Sequence, residues 1–268
     1  MNMWNRFVVV LVIAIVAGVF NDRVGSVAQV TPALREAVAP TGRLRVGVYA
    51  GSPTSMIRGQ ASGDEKGLTV DLGREFARRL GISAVLVEFP QIADVLEALT
   101  RGTVDFTVTN ATPARAKSAD FSAPIAGVEL GYLVPSRSAV TTLADVDRPG
   151  VRVGVTAGSS SQATLSKQFA HASVVPAPTL QAALTMLGAG QIDAYATNKA
   201  ILFQMSDQAP GSRVLDGRWG IELFALAIPK GRGAALESVR MFAEAAKSEG
   251  LVQRAAEQAG MRGIVKAE

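Results

Sequence analysis

Hydrophobic positions along the chain follow two alternating periods. Residues 44–48 (LRVGV) are apolar at every second position, which predicts a strand, and residues 67–81 (GLTVDLGREFARRLG) place apolar side chains on one helical stripe that ends at Gly81. The pattern continues with a strand at 84–89, a helix at 93–99 and a strand at 104–108. Strands that alternate with helices in this way predict a mostly parallel sheet covered on both faces.

The pattern then restarts with nearly the same letters. RVGVYAGS at 45–52 returns as RVGVTAGS at 152–159, and EALTRGTVDFTVTN at 97–110 resembles LTMLGAGQIDAYATN at 184–198 in its helix, glycine, Asp and final Thr-Asn. The second series predicts strands at 151–155, 173–176 and 192–196, a helix ending near 170 and a helix at 180–187. Internal similarity of this kind predicts two lobes of the same α/β type. We call residues 45–110 the first copy and residues 152–198 the second copy.

Two apolar segments that favour β-structure connect the copies. ELGYLVP (129–135) leads into the second copy and LFALAIP (223–229) follows it, and both end in Pro. They predict a two-strand hinge that closes the lobes around a ligand, with helices in 234–260 completing the first lobe. The predicted organisation is lobe 1 at 42–128 plus 224–268, lobe 2 at 129–223, and hinge strands near 125–135 and 222–229.

The N-terminus has the order of a secretory signal. Met1–Arg6 is short and basic, residues 7–20 form an uncharged apolar run, and Ser26 and Ala28 offer small residues before a cleavage site. The run is shorter than the roughly 20 residues of a membrane-spanning helix. We therefore predict a signal peptide at 1–28, a polar leader at 29–41 and a periplasmic protein, with an uncleaved membrane anchor as the alternative.

Composition excludes several functional classes. The net charge of +4 is spread without a basic run, so we do not expect nucleic-acid binding. The chain has no cysteine, which excludes disulfides, thiol nucleophiles and cysteine-based zinc sites. The single histidine, His171, lies in a loop, and no catalytic or metal-binding motif is present. We therefore predict no catalytic residue, no metal and no cofactor.

Polar residues follow a strand of the first copy, at the sheet edge where open α/β sheets bind ligands. Thr112 and Pro113 are suited to begin a short helix, and the free N–H groups of that helix together with Arg115 would form an anion site. The competing interpretation is an ion pair between Arg115 and Asp120.

The second copy offers a matching arrangement. Its Gly-Ser turn begins a helix that Ser160 or Ser161 would cap, and the N–H groups of that helix would face the same cleft. Tyr49, where the second copy has Thr156, would provide a ring to lie on the ligand. The predicted ligand-binding residues are Tyr49, Ser52, Asn110, Arg115, Ser159, Ser160 and Asn198.

Several motifs resemble the family-3 extracellular solute-binding proteins, the substrate receptors of polar amino-acid ABC importers. They are GRLRVGV, GLTVDLGREFARRLG, LTRGTVDFTVTNATPARAKSADFSAP, GVRVGVTAGSSS, AGQIDAYATN and LAIPKGRG, within residues 42–264. The resemblance implies a two-lobed clamshell of the type II periplasmic-binding-protein kind, with Arg115 on the α-carboxylate of the ligand. It also implies a monomer that captures a small polar solute and presents it to an inner-membrane ABC permease, without catalysis.

One position departs from the family pattern. The family usually has an Asp that binds the ligand's α-ammonium where this chain has Asn198. Because the predicted cleft then holds a cation and no carboxylate, we expect a small carboxylate or other polar anion as the ligand. Two alternatives remain, a cyclohexadienyl or arogenate dehydratase-like enzyme on the same scaffold and a sensory solute-binding domain. The lack of an acid at the cleft positions argues against the enzyme.

Overall fold

The computed structural model describes residues 30–61 and 63–267. The predicted signal peptide at 1–28 therefore lies outside the described residues. Within the described ranges, no helix combines the length and the apolar character needed to cross a membrane.

The first part of the chain has the alternating elements that its periodicity predicts. They are α1 (Pro32–Val38), β1 (Leu44–Tyr49), α2 (Leu68–Leu80), β2 (Ala84–Phe89), α3 (Ile92–Thr100), β3 (Thr107–Asn110) and β4 (Ala119–Phe121). Strands β1 and β2 pair in parallel from Leu44 and Ala84 to Tyr49 and Phe89. The strand predicted at 104–108 lies at 107–110, because Phe106 makes only an isolated bridge to Val46 before the regular ladder begins.

The second part of the chain repeats this alternation, and its last elements then pack against the first copy. Its elements are β5 (Ala126–Pro135), β6 (Arg152–Thr156), α4 (Ser160–Gln168), β7 (Ser173–Ala177), α5 (Leu180–Gly188), β8 (Ala194–Asn198), α6 (Lys199–Gln208), β9 (Ser212–Val214), β10 (Gly220–Pro229), α7 (Gly233–Ser248), α8 (Leu251–Gln258) and β11 (Ile264–Val265). Strand β6 pairs in parallel with both β7 and β8. The rings of Phe76 on α2 and Phe242 on α7 stack with centroids 4.8 Å apart, so the chain after β10 packs against the first copy.

The two crossing strands lie side by side between the copies. β5 and β10 pair antiparallel, and the sheet order is β3-β10-β5-β8-β6-β7. β10 pairs with β3, where Phe224 lies opposite Asn110, and β5 pairs with β8, where Leu130 lies opposite Asn198. The last residues of β3 and β8 therefore flank the crossing strands from opposite sides.

An arginine and an aspartate of the repeat have the same structural role in both copies, at the amino ends of the strands. In the first copy, the side chain of Asp105 accepts hydrogen bonds from Arg45 N (3.1 Å), Nε (2.8 Å) and Nη2 (2.8 Å). In the second copy, Asp193 accepts the same three from Arg152 at 2.8, 3.0 and 2.8 Å. We call these two units the Arg–Asp clasps. Each joins the start of one strand to the segment before another, so these repeated residues stabilise the sheet.

Candidate functional site

A pocket lies between the two copies, at the carboxyl ends of β1, β3, β6 and β8. Its cavity of about 40 Å³ is small, and the two copies approach each other closely around it. Gln91 at the start of α3 contributes to this approach, since its side-chain amide, when turned so that its nitrogen faces the second copy, donates to Ala157 O and Pro178 O at 3.1 Å. Six of the predicted residues line the pocket, namely Tyr49, Asn110, Arg115, Ser159, Ser160 and Asn198.

Ser52 does not line the pocket, which corrects the prediction for this residue. It is fully buried, and its Oγ lies 2.8 Å from the Oγ1 of Thr54. The prediction failed because the turn after β1 does not begin a helix as its counterpart after β6 does. The chain folds back instead, with Ser52 N donating to Met56 O at 3.2 Å, and α2 begins only at Leu68.

Tyr49 lines the pocket together with its two charged residues, Arg115 and Glu222. Burial of its hydroxyl raises the pKa of Tyr49, while hydrogen bonds with Ser52 and Thr54 lower it. The Glu222 carboxylate raises the same pKa and the Arg115 guanidinium lowers it, so the phenol is within electrostatic reach of both. Ser52 therefore lies behind the pocket wall, close to Tyr49.

The Tyr49 counterpart in the second copy has a different surrounding. The hydroxyl of Thr156 lies 2.5 Å from that of Tyr195, and only 8% of Thr156 is exposed. Its hydroxyl is thus engaged within the second copy, and the one-letter difference in the octapeptide leaves Tyr49 as the larger group at the pocket.

Arg115 is held by neutral acceptors of β3. Its Nη1 donates to Thr109 Oγ1 at 2.7 Å and to Asn110 O at 3.2 Å. Burial lowers the pKa of Arg115, and the nearby Glu222 raises it. The alternative pairing with Asp120 is wrong, since Asp120 lies 3.6 Å from Lys230 Nζ and accepts from Gly231 N. Among the described residues, no carboxylate forms an ion pair with Arg115.

The short helix predicted after β3 is reduced to a single turn. Thr112 Oγ1 accepts from Arg115 N at 3.2 Å, as a capping residue would. However, only a single 3₁₀ turn follows, at Arg115–Lys117. A turn of this length has no substantial dipole, because the dipole grows with aligned peptide units. The anion-binding capacity of this region therefore resides in the Arg115 side chain.

In the second copy the cap is Ser159, which corrects the prediction of Ser160 or Ser161. The Oγ of Ser159 accepts from Gln162 N at 3.1 Å at the start of α4. Ser161 is buried, and the Oγ of Ser160 donates to the carboxylate of Glu222. Ser160 is thus free of the capping role and reaches across to the crossing strand.

Glu222 on β10 is the charged pocket residue that the sequence analysis missed. It is 6% exposed. Its Oε1 accepts from Asn110 Nδ2 at 3.2 Å and from Ser160 Oγ, and its Oε2 accepts from Asn198 Nδ2 at 3.2 Å. The expectation of a cleft without a carboxylate is therefore wrong. A single acid within the apolar crossing segment was the available signal, since acids are rarely buried without a specific reason.

Asn198 is occupied on both sides of its amide. Its Oδ1 accepts from Ile201 N at 3.2 Å and caps α6, while its Nδ2 donates to Glu222. Asn110, its counterpart in the repeat, donates to the other oxygen of the same carboxylate. The duplicated Thr-Asn ends of β3 and β8 thus converge on one acid. Among the described residues, no cluster of three or more metal-ligating side chains is found.

A family model described as "Bacterial extracellular solute-binding proteins, family 3" matches residues 44–260. The ABC transporter glutamine-binding protein GlnH of Bacillus subtilis (strain 168) is 23% identical over 218 residues, which cover 80% of each chain. The glutamine-binding protein of Geobacillus stearothermophilus is 27% identical over 207 residues, which cover 76% of each chain.

The fold is also similar to that of a solved solute receptor for L-cysteine from Neisseria gonorrhoeae. The two share 25% identity and a TM-score of 0.75, over 83% of this chain and 92% of that one. The predicted α/β class with the two-lobed clamshell of periplasmic binding proteins is confirmed by these likenesses and by the strand topology.

Proposed function

Because the chain belongs to the bacterial extracellular solute-binding proteins of family 3, we propose that it captures a small amino-acid-like or carboxylate solute for an ABC importer. The observation that carries this proposal is Arg115 in the pocket between the copies. Its planar guanidinium suits a carboxylate, and no described carboxylate pairs with it. A carboxylate of the solute would complete its hydrogen bonds.

Capture requires the two copies to separate and close again. A cavity of about 40 Å³ holds only a few waters, each of which needs about 10–15 Å³ by this measure. A solute of amino-acid size therefore enters when the copies move apart about β5 and β10. A ligand that contacts both copies then favours the closed arrangement by its differential affinity. The closed form is what the permease would recognise.

A thermal-shift screen of the mature chain, residues 29–268, tests this function. The screen covers the twenty L-amino acids and their analogues without the amino group, and calorimetry follows on each compound that stabilises the protein. We expect Arg115→Ala to lower the affinity by about 30-fold or more, as for loss of one partner of a buried charge pair. Arg78→Ala, which removes a cation on the surface of α2, is the matched control. Unchanged affinity in Arg115→Ala would show that the solute's carboxylate binds elsewhere.

Export and partners complete the proposal. We propose that cleavage after Ala28 releases a periplasmic monomer, with the permease as its membrane partner. Intact-mass measurement of the periplasmic fraction checks this, with Gln29 as the expected first residue. A chain that still begins at Met1 and stays with the membrane would favour the uncleaved anchor.

We propose that the protein performs no reaction on its solute. Glu222 places an acid in the pocket, so the lack of an acid does not argue against a dehydratase. Yet both oxygens of Glu222 accept hydrogen bonds from protein donors, which is the arrangement of an acceptor. A turnover assay with prephenate and arogenate tests this, and turnover that disappears in Glu222→Gln would establish the enzyme instead.

A further inference from the structure

Glu222 is a buried carboxylate with neutral partners. All three of its hydrogen-bond donors are uncharged, namely the amides of Asn110 and Asn198 and the hydroxyl of Ser160. No ion pair within the described chain includes it, whereas Glu129 on the neighbouring strand β5 pairs with both Lys199 and Arg218. Burying a charge is costly unless an opposite charge accompanies it. Arg115 influences Glu222 only through space and forms no ion pair with it among the described residues, so the carboxylate of Glu222 lacks a direct cationic partner that a ligand could supply.

We propose that Glu222 binds the ammonium group of the solute, and that Asn110 and Asn198 are positioning residues that hold its carboxylate in the pocket. This inference rests on the proposed function, in which Arg115 binds the solute's carboxylate. A solute with both groups would satisfy the two charges of the pocket at once. The expected ligand is therefore a zwitterion, which replaces the expectation of a plain anion.

The structure explains why the acid lies on β10 and an amide at position 198. Asn198 donates to Glu222 across 3.2 Å, a bond that a carboxylate at 198 could not make. Two carboxylates at this distance repel each other, so an acid at one position favours an amide at the other. The amide also retains an oxygen that caps α6 at Ile201 N. The pair thus carries one negative charge, placed on the crossing strand.

The placement of Glu222 also links charge recognition to closure. Its donors come from both copies, since Asn110 ends β3 in the first copy while Ser160 and Asn198 belong to the second. The full set of bonds forms only when the copies are close together. An ammonium group bound at Glu222 would therefore meet a carboxylate whose position the closed arrangement fixes.

The test compares Glu222→Gln with a matched control, Glu129→Gln, which neutralises an acid on the other crossing strand. Calorimetry uses each L-amino acid that stabilises the wild type in the screen, together with its analogue lacking the amino group. We expect Glu222→Gln to lower amino-acid affinity by about 30-fold or more and to leave the affinity for the analogue within about threefold. Glu129→Gln should leave both affinities unchanged. Equal losses for amino acid and analogue in Glu222→Gln would overturn the proposal.

The exchange variant, Glu222→Gln combined with Asn198→Asp, separates charge from local damage. It restores one carboxylate beside one amide. We expect it to bind the amino acid at least about tenfold more tightly than Glu222→Gln alone. No recovery, in a variant whose unfolding midpoint matches the wild type, would contradict a charge role. Wild-type binding of the deaminated analogues but not of amino acids would overturn the role of Glu222 and leave the carboxylate receptor standing. No binding of either class would overturn both.

Discussion

The two Arg–Asp clasps provide a matched pair for measuring what burial does to one interaction. The contacts are the same, but the side chain of Asp105 is 0% exposed while that of Asp193 is 33% exposed. Asp105 also accepts from Arg232 Nη1 at 2.9 Å, so it neutralises two arginines. We predict that Asp105→Asn destabilises the protein far more than Asp193→Asn.

The magnitude follows from the charges left behind. Asn at 105 keeps one acceptor and presents an NH₂ group to the arginine donors, which leaves Arg45 and Arg232 without a counter-charge beside the core. Removing one partner of a buried ion pair typically costs about 3–5 kcal/mol. Partly exposed pairs contribute much less, because water solvates the freed arginine. The difference between the two variants therefore measures the burial of Asp105 together with its second ion pair, to Arg232.

Urea unfolding of the mature chain, followed by circular dichroism, gives the free energies of unfolding. Both clasps lie at the amino ends of β1 and β6, whereas the pocket lies at the carboxyl ends of these strands. Each strand residue adds about 3.3 Å of separation, so we expect ligand affinity to change little in either variant. Equal destabilisation by the two substitutions would refute the reasoning from burial. A loss below about 1 kcal/mol for Asp105→Asn would refute it as well.

Two further predictions concern closure and pH. Gly158 has φ +69°, and an added Cβ would lie 2.7 Å from the Cβ of Ala93, whereas Gly190 has φ +66° with nothing within 4 Å; we therefore expect Gly158→Ala to weaken solute binding by about tenfold through hindered closure. Gly190→Ala should share only the backbone strain, and equal calorimetric affinities for the two variants would contradict this. The hydrogen bond from Arg152 lowers the pKa of Asp193 in the folded protein. The stabilisation of the fold by this ion pair is therefore present above the unfolded pKa of about 3.9 and is lost as pH falls through the lower folded pKa. The difference in unfolding free energy between wild type and Asp193→Asn should therefore shrink between pH 7 and pH 3, and a constant difference would exclude this linkage.

Much of the fold could be predicted because local periodicity and the repeat indicate the same elements. The helix predicted at 67–81 lies at Leu68–Leu80, and Gly81 ends it with φ +67°, a conformation that favours glycine. The third strand was misplaced because the apolar residues Val104 and Phe106 are buried without joining the regular ladder. Hydrophobicity indicates burial, and it does not distinguish a strand from the segment that leads into it.

The site could be predicted only where its residues belong to the repeat or follow it directly. Asn110 and Asn198 were found because they end equivalent strands, and Arg115 because it follows one of them. Ser52 was wrongly included because the backbone after β1 folds back, whereas the same sequence after β6 leads directly into a helix. Glu222 was missed because it belongs to neither copy, and its partners are 112, 62 and 24 residues away along the chain.

The duplicated parts of the pocket cannot by themselves orient a solute with two different ends. Asn110 and Asn198 present the same amide from opposite sides of the crossing strands, and both donate to Glu222. The polarity comes from residues that the repeat does not share. Five residues after Asn110 the chain has Arg115, whereas five residues after Asn198 it has Phe203. Under the proposed roles, the solute's carboxylate lies toward β3 and its ammonium toward β10. The repeat then supplies the frame and the acid's donors, while the unrepeated Arg115 and Glu222 determine which way the solute lies.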